Sequence, residues 1–247
     1  MPKVTLIDYT GKGHPDPLYA ARLLAFTKNT RFSLTPGNWG AFRLSEPESN
    51  ILDEMEYMAG TIPSSWEMVD LVFCIERMSR NTSLQLVRTR TGSYAMQSQR
   101  VTDMSEATWD TPKWTATKPT RNGVPGMFDR AMEEAVACYA NEVAGGTPLE
   151  DARDLLPGGI HTNGIAKYNL RTLVELVQKR ESLRVQGAYV DIVRQMKAET
   201  LRVWPWSSQF FENKYDKGLR MLEEVALTLD HETKIKIAKA IDLIKAS

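Results

Sequence analysis

At 247 residues the chain is long enough to bury a sizeable core in one domain, or in at most two small ones. Its 42% apolar and 25% charged residues are ordinary for a soluble globular protein, and 31 basic residues balance 31 acidic ones, which excludes a global field able to draw in a nucleic-acid polymer or an anionic membrane. Cys74 and Cys138 form neither a metal-ligand spacing nor a disulfide framework, the three histidines are scattered, and no signal peptide or membrane-spanning apolar run is present, so the expected location is cytoplasmic and no metal is expected.

Lys3 to Tyr9 alternates as a first strand, ended by Gly11 to Gly13. Asp16 is placed to cap a helix with Pro17 at its first position, followed by Leu18, Ala21, Leu24 and Ala25 at helical spacing. Arg31 to Leu44, with Pro36, Gly37 and Gly40, reads as loop. Ser45 and Glu48 have capping-box spacing ahead of Ile51, Leu52, Met55 and Met58 on one helix face. A strand is predicted at about 69–77, with Val69, Leu71, Phe73 and Ile75 on one face, and Ser79 caps a short helix leading towards Gln85 and Arg88. Thr108 to Gly123 reads as a long surface loop. A helix from Pro125 presents Phe128, Ala131, Met132, Val136 and Tyr139 and stops at Gly145-Gly146. Thr147 and Glu150 have capping-box spacing ahead of Arg153. The span 160–168 reads as strand or loop, and Asn169 caps a helix carrying Leu173, Leu176, Val177 and Arg180. Further helices are predicted at about 184–203, 217–229 and 232–245. With no internal repeat, a single α+β domain over residues 1–247 is the expectation.

The densest chemistry lies between Gln85 and Arg100. Arg88, Arg90 and Arg100 offer planar forks of N–H donors that match phosphate oxygens, and Ser98 adds a hydroxyl. The same composition also suits a solvated basic turn.

Arg88, Arg90 and Ser98, flanked by Gln85 and Arg100, resemble the hallmark of the flavin-dependent thymidylate synthases (the ThyX family): Arg-His-Arg, seven residues, then Ser. Two more blocks resemble that family in order. Ser64, Glu67, Val69 and Phe73 precede the motif. Ala152-Arg153-Asp154-Leu155-Leu156-Pro157, Asn169-Leu170-Arg171-Thr172-Leu173, Arg180 and Ser182 follow it. The resemblance covers about residues 3–215, leaving a helical C-terminal extension of about 216–247. It implies an α+β fold with a mixed or antiparallel sheet flanked by helices, and a homotetramer with FAD at subunit interfaces. NADPH and methylenetetrahydrofolate would be co-substrates in turning dUMP into dTMP.

By position, the resemblance implies that Arg88, Thr89, Arg90, Asn169, Arg171 and Glu67 lie at the cofactor. Gln85, Ser98, Gln99, Arg100, Arg153 and Arg180 would hold the nucleotide, with Ser98 on its phosphate and Arg180 stabilising negative charge on the pyrimidine. Read from the residues alone, Arg171 and Arg180 are equally solvated helix arginines and Asn169 a helix cap. Departures are specific. Thr89 stands where the family has the motif His, Ile62 and Met68 where it has other histidines, Val101 where it has Tyr, and Glu175 where an Asn often meets the flavin; Met96 replaces a polar residue. Beside dTMP synthesis, two alternatives therefore stand: hydroxymethylation at C5 of dUMP or dCMP, and a non-catalytic nucleotide-binding homologue.

Overall fold

The computed structural model describes residues 1–29, 31–111, 126–180 and 187–212, together with residues 222, 225, 233, 235 and 237. Its frame is a sheet of β1 (Lys3–Tyr9), β2 (Asp70–Ser79), β3 (Ser93–Met96) and β4 (His161–Asn169) in the order β1-β2-β4-β3. Every pairing is antiparallel, so the expected α+β architecture holds and the sheet is not mixed.

β2 is paired on both sides, and its alternate residues Leu71, Phe73 and Ile75, continuing from Val69, are completely buried. β4 resolves the ambiguous span 160–168. Its buried positions include Gly164, Ala166 and Tyr168, whereas Ile165 is 40% exposed. Small residues inside and an isoleucine outside blur the alternation that marks a half-buried strand. Gly164 faces Met96 and Met78; a Cβ there would lie 2.6 Å from the Met96 sulfur, so Met96 fills this gap in the sheet. Between Ile75 and Met78 the β2–β4 register slips. Arg77 sits in that bulge at φ 57, a left-handed conformation uncommon for a residue with a side chain. Its backbone N–H is satisfied by Asn163 Oδ1 at 2.9 Å.

The helices are α1 (Tyr19–Lys28), α2 (Pro36–Ser45), α3 (Glu48–Thr61), α4 (Arg80–Leu86), α5 (Met127–Ala144), α6 (Leu149–Ala152), α7 (Leu170–Arg180) and α8 (Ala188–Val203), with 3-10 turns at Pro63–Met68 and Pro205–Phe210 among others. The main core joins the sheet's buried face to Leu24, Ile51, Met55, Met58, Leu173, Val177, Ile192 and Met196 from the helices. A second, smaller cluster forms around Met104, Met132, Tyr139 and Ile160.

Four local expectations are corrected. Arg31 to Leu44 is not loop throughout. Thr35 caps α2 by accepting from Asn38 N–H at 3.3 Å, Pro36 takes the first turn, and Phe42 is buried against Phe26 and Phe32. Tertiary packing outweighs the two glycines in that helix. Asp16 does not cap α1; it accepts from Leu18 N–H and pairs with the buried Arg22, and the helix begins at Tyr19. Ser45 closes α2 rather than capping α3, whose N-cap is Pro47. Thr147 donates its hydroxyl to Glu142, so no capping box forms with Glu150. The caps expected of Ser79 and Asn169 are present: Ser79 Oγ accepts from Thr82 N–H at 3.1 Å and Asn169 Oδ1 from Thr172 N–H at 2.8 Å. Most of the predicted 108–123 loop, Pro125, Ser182 and most of the C-terminal helices at 217–229 and 232–245 lie outside the described residues.

Candidate functional site

The motif hangs from the end of β2. Ser79 starts α4, Leu86 anchors the far end of that helix in the core, and Gln85 is exposed. Arg88 N–H donates to Gln85 O and Thr89 N–H to Leu86 O, each at 3.2 Å, and Gly92 N–H then closes a turn onto Thr89 O at 3.0 Å. Arg88 and Arg90 project from this turn, exposed and without an ion pair among the described residues. Two free guanidiniums two residues apart on a tight turn are suited to phosphoryl oxygens. Thr89 is half-buried, and its backbone carbonyl accepts from Tyr94 Oη at 2.7 Å.

The chain next runs along β3, the sheet edge, and turns at Ser98. Ser98, Arg100, Val101, Pro148, Leu149 and Glu150 line an open cleft of about 420 Å³. Ser98 Oγ accepts from Arg100 N–H at 3.3 Å. The Arg100 guanidinium donates to one Glu150 oxygen from Nη2 at 2.7 Å and from Nε at 3.2 Å. Arg153 Nε donates to the Glu150 carbonyl at 3.0 Å. Glu150 thus holds two of the expected nucleotide residues, Arg100 by its carboxylate and Arg153 by its carbonyl, and its carboxylate occupies the fork a phosphate would use. Sequence reading gives Glu150 only capping-box spacing and misses this role, because Arg100 lies 50 residues away in the chain. Between the exposed Ser98 and Arg100, Gln99 is 4% exposed, and neither end of its amide has a partner among the described residues. Another cleft of similar volume, between α1, α2 and α3, contains none of the expected residues.

The remaining residues sit at the two ends of α7. At its start Arg171 Nη1 donates to Glu67 at 2.7 Å and Nε to Glu175 at 3.1 Å. Glu175 and then Glu67 hold the Arg171 guanidinium protonated above its already high range. Asn169 uses its side chain as the cap of this helix. At the other end, roughly 14 Å along the axis at 1.5 Å per residue, the Arg180 guanidinium lies 4.9 Å from the centre of the Tyr189 ring. No hydrogen bond or ion pair among the described residues joins the Glu67–Arg171 group to the Ser98–Arg100–Arg153 group.

Sequence reading does not single out Tyr94 and Tyr168, because they come from β3 and β4 and meet only in the fold. Tyr94 Oη donates to Thr89 O at 2.7 Å, and its ring meets Tyr168 edge-on at 5.9 Å. Burial pushes the Tyr168 hydroxyl far above the usual tyrosine range, and Tyr94 moves the same way for the same reason. These hydroxyls are neutral donors, not bases. Among the described residues no group of three or more His, Cys, Asp or Glu is placed to hold a metal, and no helix is long and apolar enough to cross a membrane.

Comparison with known proteins bears on this arrangement. Residues 5–206 match the family model described as thymidylate synthase complementing protein. A protein of Clostridium tetani named flavin-dependent thymidylate synthase is 27% identical over 219 residues, covering 82% of this chain and 84% of the relative. One of Pyrococcus furiosus with the same name is 28% identical, covering 81% and 79%. One of Saccharolobus solfataricus, also so named, is 32% identical over 133 residues, 54% of this chain and 50% of that protein. The matched part thus spans about half the length of several of these curated relatives, and most of others.

Proposed function

The chain belongs to the thymidylate synthase complementing protein family, and from that premise we propose that it is a flavin-dependent enzyme transferring a one-carbon unit from methylenetetrahydrofolate to C5 of dUMP. The product would be dTMP, with NADPH as reductant. The observation that carries this reading is the Arg88–Arg100 run, which presents two anion-ready surfaces in one short span. Arg88 and Arg90 stand unpaired on the Gly92 turn, and Ser98 and Arg100 meet Arg153 around Glu150 at an open cleft.

The donors present fit FAD. Arg88 and Arg90 would hold its phosphates, while Arg171, oriented by Glu67, and the amide of Asn169 would lie beside them. When bound, the flavin supplies the hydride that turns a transferred methylene into a methyl group. Ser98 and Arg100 would take the nucleotide phosphate, displacing the Glu150 carboxylate from the arginine fork, with Gln85, Gln99 and Arg153 around the nucleoside. Arg180 would stabilise negative charge as C5 is activated; a fixed cation or donor aimed at developing charge contributes several kcal/mol, roughly 3–4 for one donor. A single cytoplasmic domain over residues 1–247, assembled as a homotetramer with sites between subunits, completes the proposal.

Thr89 favours a second outcome on the same site. Its short, half-buried side chain leaves room for a water where an imidazole would exclude it, and a hydroxyl can hydrogen-bond that water. Addition of that water to a methylene intermediate on dUMP or dCMP would leave a hydroxymethyl group. Mass spectrometry of products from dUMP and from dCMP, each with methylenetetrahydrofolate, FAD and NADPH, separates the readings. A gain of a methyl supports the first and a hydroxymethyl the second. No gain from either nucleotide, with binding retained, leaves a non-catalytic nucleotide-binding homologue.

A further inference from the structure

Tyr94 and Tyr168 lie together beneath the motif turn, and neither belongs to the residue set that the proposed activity uses. Tyr94 reaches from β3 to the Thr89 carbonyl at 2.7 Å. That carbonyl also accepts from Gly92 N–H at 3.0 Å, so a single oxygen closes the turn and ties it to the sheet. Tyr168, 1% exposed on central β4, holds the Tyr94 ring edge-on, with centroids 5.9 Å apart and planes at 77°. The turn backbone lies directly on this pair: a Cβ at Gly92 would come within 2.5 Å of Tyr94 Oη and 2.6 Å of Tyr168 Cε1. Only a residue without a side chain fits there while the tyrosines keep their places.

We infer that Tyr94 is a positioning residue for the Arg88–Thr89–Arg90 turn, clamping the Thr89 carbonyl so that the two guanidiniums are presented in a fixed direction. The turn otherwise has little to hold it. Arg88 and Arg90 are exposed, and its backbone bonds are local ones of the kind that fray. Among the described residues, the Tyr94 hydroxyl is the side-chain donor that ties the turn to the sheet. Arg180 belongs to a different anchor, its guanidinium resting on Tyr189 from α8. The clamp therefore governs the ligand held by the turn and not the ligand held by Arg180 and Arg100. This assignment of ligands rests on the function proposed above, whereas the clamp itself does not.

Tyr94→Phe keeps the ring and its contact with Tyr168 and removes the hydroxyl. Tryptic cleavage after Arg88 and Arg90 in the native protein, mapped by mass spectrometry, should accelerate about fivefold on loss of one neutral hydrogen bond. Gly92→Ala, which retains the hydroxyl but displaces the tyrosines, should accelerate it as well. In the same Tyr94→Phe protein the FAD dissociation constant should rise about fivefold while that of dUMP stays unchanged. Equal cleavage rates in wild type and Tyr94→Phe would overturn the clamp, whether or not ligands bind. Faster cleavage with equal losses for FAD and dUMP would overturn its selectivity for the turn. A wild type that binds neither ligand would count against the proposed function alone, since the cleavage comparison still decides the clamp.

Discussion

Arg100 donates twice to a single Glu150 oxygen, yet the two side chains are 62% and 51% exposed. A pair so open to water contributes at most about 1 kcal/mol to folding, because solvent screens it and both side chains lose freedom. Arg100→Ala should therefore change stability by less than about 1 kcal/mol. It should weaken a nucleotide monophosphate far more, since charge-assisted bonds to phosphate contribute about 1.5–3 kcal/mol each, or roughly ten- to hundredfold in affinity. Calorimetric titration with dUMP and with deoxyuridine checks this; equal losses for both would remove the phosphate role from Arg100. Thr89 poses the sharper chemical question. If its hydroxyl holds the water of a hydroxymethylation, Thr89→His should shift product towards dTMP. An all-dTMP mixture from both proteins would make Thr89 a tolerated substitution.

At the scale of the element, α7 joins two regions that are far apart. Its cap, Asn169, ends β4 opposite Asp70 and accepts from Thr172 N–H, so strand and helix meet at one side chain. Asn169→Ala should lower stability by about 1 kcal/mol through the lost cap, and Asn169→Asp should retain it. A urea midpoint series reads the cap, and FAD titration of Asn169→Asp reads whether the amide also serves the cofactor. Affinity lost at unchanged stability would assign it both roles. β2 carries more of the fold. Phe73 is completely buried between β1 and β4, and Phe73→Ala should cost roughly 3–5 kcal/mol through lost transfer energy and a residual cavity.

At the scale of the whole molecule, His161 ties stability to pH. It is 8% exposed at the start of β4, with Nδ1 2.8 Å from Thr108 Oγ1 and Nε2 3.3 Å from Asp110 Oδ2, and Arg77 also faces Asp110 at 3.6 Å. Burial holds its imidazole below the ordinary value of 6.5, outweighing the attraction of Asp110; the Arg77 charge acts in the same direction as burial. The unfolded chain therefore binds a proton more readily than the folded one, and stability must fall as pH drops from above 6.5 through the lowered folded value. Melting temperature measured from pH 7.5 to 5 should decline, and His161→Asn should flatten that decline relative to wild type. An identical profile in the variant would place the titrating group elsewhere.

Much was legible in the sequence where one local rule acted alone. The buried face of β2, the Ser79 and Asn169 caps, and the apolar stripes of α5 and α7 follow from periodicity and capping chemistry, which need no knowledge of neighbours. The spacing of Arg88, Arg90 and Ser98 likewise marked the family before any fold was known. Other features depended on partners distant in the chain. The span 160–168 is ambiguous between strand and loop in the sequence because Gly164 lies inward, its space filled by Met96 from β3, while Ile165 lies outward. α2 forms despite two glycines because Phe42 finds Phe26 and Phe32. Glu150 gathers Arg100 from 50 residues away, and Tyr94 meets Tyr168 across two strands. Sequence alone determined which residue types could meet anions and which segments would coil or extend. Only the tertiary structure decided which of them met, because contact between remote segments is set by packing of the shared core rather than by either segment's own pattern.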